Sequence, residues 1–386
     1  MRTSGFALFG APPAFDEHLP VGQRYFPSWQ RYEAAFRGIF ERQYYTEYGP
    51  LNQQLEQKLQ HFLGVRHAIC VTNETVGLMM LADALGLAGK VIVPDIEFAA
   101  SAQALAWAGL EPVFCDVDPG THHIDPYRIE ALIDKDVSAI LGVHLWGGAC
   151  DTKALAKLAE ANGIQLFFDA THAFGCAVGG VRIGNFGRAE VFSFHESNIL
   201  NAGEGGCICT NDDELAARLR TMRSTAGAGK PVEVSKTVNG RMSEAQAAIA
   251  LMNLEDFPVN RLHNATLHRL YETRLAPVPG LQLVMPAGVS LSNYQNVVCS
   301  INERKYGLSR FLLVELLRAE NVHARQPPRY RERQSDNGSP GESLGASCIQ
   351  LPIGALMSAQ SVERICTILA KAHRASASIH AEYAAR

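Results

Sequence analysis

The chain has 386 residues, of which 47% are hydrophobic and 19% charged, a composition typical of a soluble globular enzyme. This length is enough for two domains, and a formal net charge of −4 gives no electrostatic basis for binding nucleic acid or an anionic membrane. No apolar stretch approaches the roughly 20 residues of a membrane-spanning helix, and the N-terminus makes a poor signal peptide. Nine cysteines lack C-x-x-C pairs and metal-like histidine spacing, so we expect reduced thiols, no metal site and a cytoplasmic protein.

From about residue 65 to 250, segments with the pattern of buried strands alternate with segments of helical spacing. Several of the helical segments end at glycine. Such alternation predicts the α/β class, with a mainly parallel sheet covered by helices on both faces. Together with one preceding helix, the predicted elements are helix 51–63, strand 67–72, helix 74–87, strand 90–95, helix 99–109, strand 111–118, helix 126–134, strand 137–145, helix 152–163, strand 164–171, strand 190–195 and strand 206–212.

Beyond residue 250 the pattern changes. The stretch MSEAQAAIALMNLEDF predicts a long helix, and the later stretches VVCSIN, SRFLLVELLRAEN and SCIQLPI predict a strand, a helix and a strand. These indicate a smaller α+β domain. A polar segment rich in turn formers, 325–345, predicts a long loop that is either mobile or part of a lid. We therefore predict a large domain over residues 1–255 and a small domain over residues 256–386.

The segment LFFDATHAFG places Asp169 at the carboxyl end of a buried strand, with His172 three residues further on. In sheets of this class the carboxyl ends of the strands face the ligand crevice. A carboxylate there can pair with a pyridinium nitrogen and keep the ring protonated. The alternative is an aspartate that only caps a helix.

Two further segments suit a phosphate group. In VTNETVGLM a strand turns into a helix, whose first amide groups can bind phosphate. A simple N-cap by Asn73 or Thr75 is an equal alternative, and Glu74 is an unusual neighbour for an anion. In VFSFHESNILNAGEGG, Ser193 at a strand end can donate to phosphate, and the glycines permit close backbone approach. Phe98, just past another strand, either covers a planar ligand or packs in the core.

The order and spacing of these segments resemble the DegT/DnrJ/EryC1/StrS family of pyridoxal-phosphate-dependent aminotransferases, which mostly act on nucleotide-linked keto sugars. The resemblance covers nearly the whole chain and rests on the stretches YYTEYGPLNQQLEQKLQHFLGVRHAICVTNET, PVFCDVDPGTHHID, ILGVHLWGGACD, FFDATHAFG, GEGGCICTNDDELAARLR, NGRMSEAQAAIALMNLED and IQLPIG. It implies the type I PLP-dependent aminotransferase fold, with a mainly parallel seven-stranded sheet in the large domain and a small α+β C-terminal domain. It also implies a homodimer with the active site at the interface.

The resemblance further implies roles for individual residues. Asp169 matches the residue that pairs with the pyridine nitrogen, and His172 matches a nearby histidine or glutamine. Phe98 matches the position that stacks on the ring. The family's phosphate-binding positions are matched by Thr75, the amide of Glu74, Ser193 and, reaching across from the partner subunit, Asn239.

One position departs from the family pattern at a chemically decisive point. That pattern is close to S-F-H-x-[ST]-K, and here the six residues that begin at Ser193 end in Asn198 instead of lysine. The lone pair of an amide nitrogen is delocalised into the carbonyl, so Asn198 cannot form a Schiff base with the cofactor or shuttle protons near neutral pH. Glu74 is a second departure, because a carboxylate beside a phosphate is repulsive unless it turns away or meets a cation.

Three interpretations of Asn198 stay open. The chain could be an engineered lysine variant, a natural member that holds pyridoxal or pyridoxamine phosphate without a covalent bond, or a degenerate relative that serves as a binding partner. We favour the second, since some relatives that dehydrate sugars replace the lysine and use the amine form of the cofactor. The expected substrate is a keto sugar or a similar keto or amino compound. Proton transfer would then fall to other candidates: His172, His195, Glu196, Lys230 or Lys236.

Overall fold

The computed structural model describes residues 5–46, 48–96, 99–224, 232–326 and 347–385. The described strands are β1 Leu19–Pro20, β2 His67–Val71, β3 Lys90–Pro94, β4 Glu111–Cys115, β5 Val137–Val143, β6 Gln165–Asp169, β7 Ala177–Val178, β8 Val181–Arg182, β9 Glu190–Ser193, β10 Gly206–Thr210, β11 Leu281–Leu283, β12 Val297–Ile301, β13 Val322–His323 and β14 Cys348–Leu351. The described α-helices are α1 Trp29–Arg42, α2 Pro50–Leu63, α3 Glu74–Ala84, α4 Ala99–Trp107, α5 Pro126–Ile129, α6 Thr152–Asn162, α7 Asp213–Arg223, α8 Glu244–Leu275, α9 Glu303–Tyr306, α10 Arg310–Ala319, α11 Ala359–Arg374 and α12 Ser376–Ala384. Short 3₁₀ helices cover Ala7–Phe9, Glu130–Leu132 and Thr171–Ala173.

Seven strands form the central sheet in the order β2-β10-β9-β6-β5-β3-β4. Strand β10 runs antiparallel to both of its neighbours, and the other adjacent pairs are parallel. The mainly parallel seven-stranded sheet of the predicted fold is therefore confirmed. Since β6 and β9 are adjacent and parallel, their carboxyl ends open on the same edge of the sheet.

The apolar spacing that predicts helix 51–63 has a direct counterpart in α2. Leu55, Leu59 and Leu63 are buried and pack on one face of the sheet, as residues four apart on one side of a helix should. Gly64 ends α2 in the left-handed conformation, with φ of 69°, which glycine adopts without steric cost. Helices α3, α4 and α7 cover the opposite face of the sheet.

The C-terminal part is built on a three-stranded antiparallel sheet in the order β11-β12-β14. Helices α10 and α11 contribute to the apolar core beside it, so the predicted small α+β unit is present. The start of the chain joins this part, because Phe6 lies in its core and β1 pairs in parallel with β13.

Helix α8 connects the two parts and runs for 32 residues. Its predicted end was near residue 257, but it continues past Pro258. Leu267 and Tyr271, beyond the proline, are buried in the C-terminal core. This packing offsets the roughly 3 kcal/mol that a proline costs inside a helix. The predicted division after residue 255 thus falls inside a continuous helix. No helix within the described ranges is both long and apolar enough to cross a bilayer.

Candidate active site

A cavity of about 570 Å³ opens at the carboxyl edge of the central sheet, between the sheet and the C-terminal part. The turn into α3 and the residues that follow β6 and β9 form one side of it, and three polar residues of the C-terminal part form another. Small-molecule and cofactor sites occupy about 300–1,000 Å³, so the volume suits such a ligand.

Asp169 ends β6 and is only 1% exposed. It is not part of the described cavity wall, which its neighbours Glu74 and Thr171 do line. Ser101 Oγ on α4 donates a hydrogen bond to Asp169 Oδ2 at 2.8 Å, and the Thr171 backbone N–H donates to Asp169 Oδ1 at 3.0 Å. Both carboxyl oxygens therefore have fixed donors, and a carboxylate fixed in this way can accept a hydrogen bond from a protonated ring nitrogen. Sequence reasoning missed Ser101, because nothing in its own segment distinguishes it.

Glu74, the first residue of α3, borders the cavity near Asp169. Its Oε1 is out of contact with solvent and has no hydrogen-bond partner among the residues described. Burial, and then the nearby Asp169 carboxyl, raise the pKa of Glu74 well above its ordinary value of 4.5. Two ionised carboxyl groups close together repel each other, so the neighbourhood of Asp169 favours a protonated Glu74.

The turn between β2 and α3 is a capped helix start that lies at the cavity wall. Asn73 Oδ1 accepts a hydrogen bond from the Val76 N–H at 2.9 Å, which confirms Asn73 as the N-cap. Thr75 lies at the cavity wall, so capping and ligand binding are compatible at this turn. Gly206, the first residue of β10, lies so close to this turn that a Cβ atom there would be 2.9 Å from the Glu74 nitrogen. This close approach explains why β10 begins with glycine.

Asn198 lines the cavity and is 7% exposed. Its Nδ2 donates a hydrogen bond to the Ser193 carbonyl at 3.1 Å, and its backbone N–H donates to the His195 carbonyl at 3.0 Å. Ser193 itself ends β9 and also lines the cavity. The amide of Asn198 therefore closes the turn after β9 but supplies no basic nitrogen.

His172 and His195 both line the cavity, in different surroundings. His172 is buried beside the Trp146 ring, with centroids 5.2 Å apart, and burial lowers its pKa to about 4. It is therefore neutral at pH 7 and only weakly basic. The side chain of His195 is 47% exposed, with Nδ1 2.9 Å from Ser197 Oγ and Nε2 3.9 Å from Glu204 Oε1.

Two other candidates for proton transfer have charged partners. Glu196 Oε1 lies 3.5 Å from Arg24 Nε, with both side chains about half exposed. Lys236 Nζ lies 2.9 Å from Asp83 Oδ1. Neither Glu196 nor Lys236 contributes to the described wall of the cavity.

Each of the remaining predicted site residues lies either away from the described cavity wall or outside the described residues. Asn239 is exposed and accepts a hydrogen bond from Arg241 Nε at 3.1 Å. Its contribution across a dimer stays a prediction. Phe98 and Lys230 lie outside the described residues.

Three residues that sequence reasoning did not single out border the cavity from the C-terminal part: Asn296, Arg325 and Gln350. Arg325 begins the polar segment that was predicted only as a loop. Asn296 precedes β12 and Gln350 lies within β14, and the sequence pattern of these strands predicts buried positions but gives no sign of a function.

Comparison with known proteins identifies the family. The model of the DegT/DnrJ/EryC1/StrS aminotransferase family matches residues 30–370. The chain belongs to this family. It is 33% identical over 309 residues to dTDP-4-amino-4,6-dideoxy-D-glucose transaminase of Shigella dysenteriae, a match that covers 79% of this chain and 83% of the relative. It is 30% identical over 335 residues to GDP-perosamine synthase of Caulobacter vibrioides, covering 82% and 88%.

A solved structure is similar over almost the full length. DesI, crystallised in the presence of its TDP-sugar product, matches this family member with a TM-score of 0.91 at 36% sequence identity, covering 98% of this chain and 99% of DesI. The family assignment and the fold predicted from sequence are therefore both confirmed. Membership places the chain in a family of pyridoxal-phosphate-dependent transferases.

Proposed function

We propose that this family member binds pyridoxal phosphate or pyridoxamine phosphate without a covalent bond and acts on a nucleotide-linked keto sugar or a similar keto or amino compound in a biosynthetic pathway. One observation carries the proposal. Ser193, Asn198 and the first turn of α3 line a single cavity, and Thr171, which also lines it, donates a hydrogen bond to Asp169. We take Asn198 to occupy the position of the lysine in the family pattern.

The residues present fit the cofactor at its two polar ends. Asp169, with donors to both oxygens, would hold the protonated ring nitrogen. Ser193, Thr75 and the amide groups that begin α3 would hold the phosphate. Glu74 fits as a neutral carboxyl, which donates to a phosphate oxygen instead of repelling it. When bound, the cofactor supplies an electron sink for the reacting carbon of the substrate.

Proton transfer needs a group other than Asn198, and we assign it to His195. This residue lines the cavity, and its ring lies between Ser197 Oγ and Glu204. His172, with a pKa of about 4, is too weakly basic to accept a proton efficiently near neutral pH.

The relatives support the substrate class. The Shigella dysenteriae relative is named for a dTDP-linked amino sugar, the Caulobacter vibrioides relative for a GDP-linked one, and DesI was crystallised with a TDP-sugar product. A substrate of the same kind would bring a keto sugar and a nucleoside diphosphate to this cavity. The base and the sugar are specified by loops, and the fold does not decide them.

We also propose a cytoplasmic homodimer with shared active sites. Helix α1 exposes large aromatic side chains, with Trp29 at 66% and Phe40 at 64% exposure. Exposed apolar surface of this kind is typical of an interface between subunits. Asn239, exposed in the single chain, would then be able to reach the phosphate of the partner's cofactor.

Cofactor content tests the proposal directly. The purified protein would be analysed by absorbance and by mass spectrometry, before and after dialysis with added pyridoxamine phosphate. We expect one cofactor per chain, released intact when the protein is denatured. A Asp169→Ala variant should lose the cofactor and the activity together. Activity that survives this substitution would refute the assignment of the site.

Asn198, which supplies no basic nitrogen at the cavity wall, favours a second candidate function, a catalytically degenerate member that serves as a binding or regulatory partner. An ionised Glu74 beside Asp169 would exclude a phosphate from the turn. In that case wild type stays free of cofactor after dialysis, and Glu74→Gly gains it. Tight binding of the cofactor by wild type excludes this candidate.

A further inference from the structure

A cationic side chain that forms no ion pair with any described residue borders the cavity on the side of the C-terminal part. Arg325 follows β13 and is joined to Gln350 of β14 by two backbone hydrogen bonds of 3.2 and 2.8 Å. Burial, and then the nearby Arg24 cation, lower the pKa of Arg325, and none of the described carboxylates acts in the opposite direction. By contrast, the buried Arg223 pairs with Glu56 at 2.6 Å.

Hydrogen bonds fix which atoms this wall can offer to a ligand. Arg325 Nε donates to Gln350 Oε1 at 3.0 Å, and Gln350 Nε2 donates to Asn296 Oδ1 at 2.6 Å. A guanidinium nitrogen can only donate, so Gln350 must present its oxygen to Arg325 and its NH₂ group to Asn296. Asn296 is then left with its own NH₂ group, a buried donor without an acceptor in the described part of the chain.

The consequence is a wall that consists of donors. The terminal nitrogens of Arg325 and the Nδ2 of Asn296 have hydrogens to give and, among the described residues, no acceptor. Gln350 is 2% exposed and Asn296 is 7% exposed, so both are held in place by packing. Arg325 is half-buried, and a charged donor group so placed is satisfied best by an anion with two or more oxygens.

We propose that Arg325, oriented by Gln350 and flanked by Asn296, is an anion-binding subsite that holds a carboxylate or phosphate group of a reactant at the wall of the cavity opposite the sheet. The reactant could be the amino-group donor, through a carboxylate, or the nucleotide-linked sugar, through its diphosphate. The identity of the reactant rests on the proposed function, whereas binding of the anion needs neither the cofactor nor turnover.

The test is calorimetric titration of the full-length protein with two probes, glutarate for the carboxylate and inorganic pyrophosphate for the diphosphate. Arg325→Gln should raise the Kd of the probe that binds the subsite by about tenfold to a hundredfold. The reason is that hydrogen bonds to a charged group are worth about 1.5–3 kcal/mol. Arg325→Lys should raise this Kd less, because it keeps the charge but loses the planar fork. Arg318→Gln is the matched control. Arg318 is an exposed arginine of α10 in the same part of the chain, and its substitution removes the same charge.

Each outcome has one meaning. Weakening of glutarate alone assigns the subsite to the amino-group donor, and weakening of pyrophosphate alone assigns it to the nucleotide-linked sugar. Equal binding of both probes by wild type and Arg325→Gln, or no binding by wild type, overturns the subsite. If Arg325→Gln does not fold, Asn296→Asp carries the test, because it replaces a donor with a carboxylate and should weaken the same probe. Cofactor content is measured on the same samples, so a failure of the proposed function is seen separately.

Discussion

At the scale of single residues, the proximity of Glu74 to Asp169 bears on whether the cavity could accept the proposed phosphate. Glu74 is half-buried near a second carboxyl, and its Oε1 has no contact with solvent and no partner within the described residues. Its pKa is therefore raised in the folded protein, whereas in the unfolded chain it returns to about 4.5. Between these two pKa values the folded state binds a proton that the unfolded state has lost.

This linkage predicts how Glu74 changes stability with pH. As pH rises from about 4.5 through the pKa of the folded state, Glu74 lowers the free energy of unfolding. Glu74→Gln removes the proton equilibrium, so the variant should gain about 1–3 kcal/mol relative to wild type at pH 8 and nothing at pH 4. Urea unfolding at both pH values measures the difference. Glu204→Gln, with a 64% exposed side chain at the same cavity, is the control. Identical pH dependence in wild type and Glu74→Gln would contradict the buried pair.

Asn198→Lys tests whether this position is the missing anchor for the cofactor. Asn198 lines the cavity, and among the described residues its side chain makes one hydrogen bond, to the Ser193 carbonyl. A lysine amine there should bond covalently to the aldehyde of pyridoxal phosphate, so that borohydride reduction fixes the cofactor to the chain in mass spectrometry. Transamination should rise by at least about 10²-fold, the lower range for general acid–base help. Asn198→Gln, without an amine, is the control. A folded lysine variant that binds the cofactor but forms no adduct would show that the anchor lies elsewhere.

At the scale of secondary-structure elements, the start of α3 should link helix stability to the proposed binding of a phosphate. Asn73→Ala removes the cap on Val76 N–H and should cost about 0.5–2 kcal/mol of stability. Because the same turn lines the cavity, the Kd for pyridoxamine phosphate should rise as well. Urea unfolding and cofactor titration measure the two effects.

Asp151→Ala is the matched control for this prediction. Asp151 caps α6, with its Oδ1 3.0 Å from the Ala154 nitrogen, and it is not part of the described cavity wall. It should therefore lose similar stability without a change in Kd. An equal loss of cofactor affinity in both variants would mean that global destabilisation, and not the turn, controls binding.

The sequence predicts these elements better than it predicts how they meet. Strand 67–72 and helix 51–63 correspond closely to β2 and α2, because each has one apolar period bounded by glycine or polar residues. Asp169 and Ser193 could be predicted as site residues from the sequence because each ends a strand. The donor wall of Asn296, Arg325 and Gln350 could not, since it depends on pairing between β12 and β14 and on a bridge to Arg325. Nor could the sequence show that Glu74 is half-buried near Asp169.

At the scale of the whole molecule, the cavity depends on segments that are distant in sequence. Helix α8 continues from the central sheet into the C-terminal core, while β1 brings the start of the chain onto β13. Arg325 reaches the cavity from that side, and on the side of the sheet Asp169 is hydrogen-bonded to Thr171 of the cavity wall. The two sides carry opposite charge, which suits a ligand that has a cationic ring nitrogen at one end and an anionic group at the other.

A heterodimer of two defective chains tests whether two copies share each site. One chain would carry Asp169→Ala and the other Asn239→Ala, with different affinity tags so that only the mixed dimer is purified. If Asn239 acts across the interface, one of the two sites combines an intact Asp169 with an intact Asn239 from the other chain, and the dimer should hold about half the wild-type amount of cofactor. If Asn239 acts within its own chain, both sites are defective and the mixed dimer should hold no more cofactor than the Asn239→Ala homodimer. A monomer in sedimentation, at a mass of 42.0 kDa, would exclude the shared site altogether.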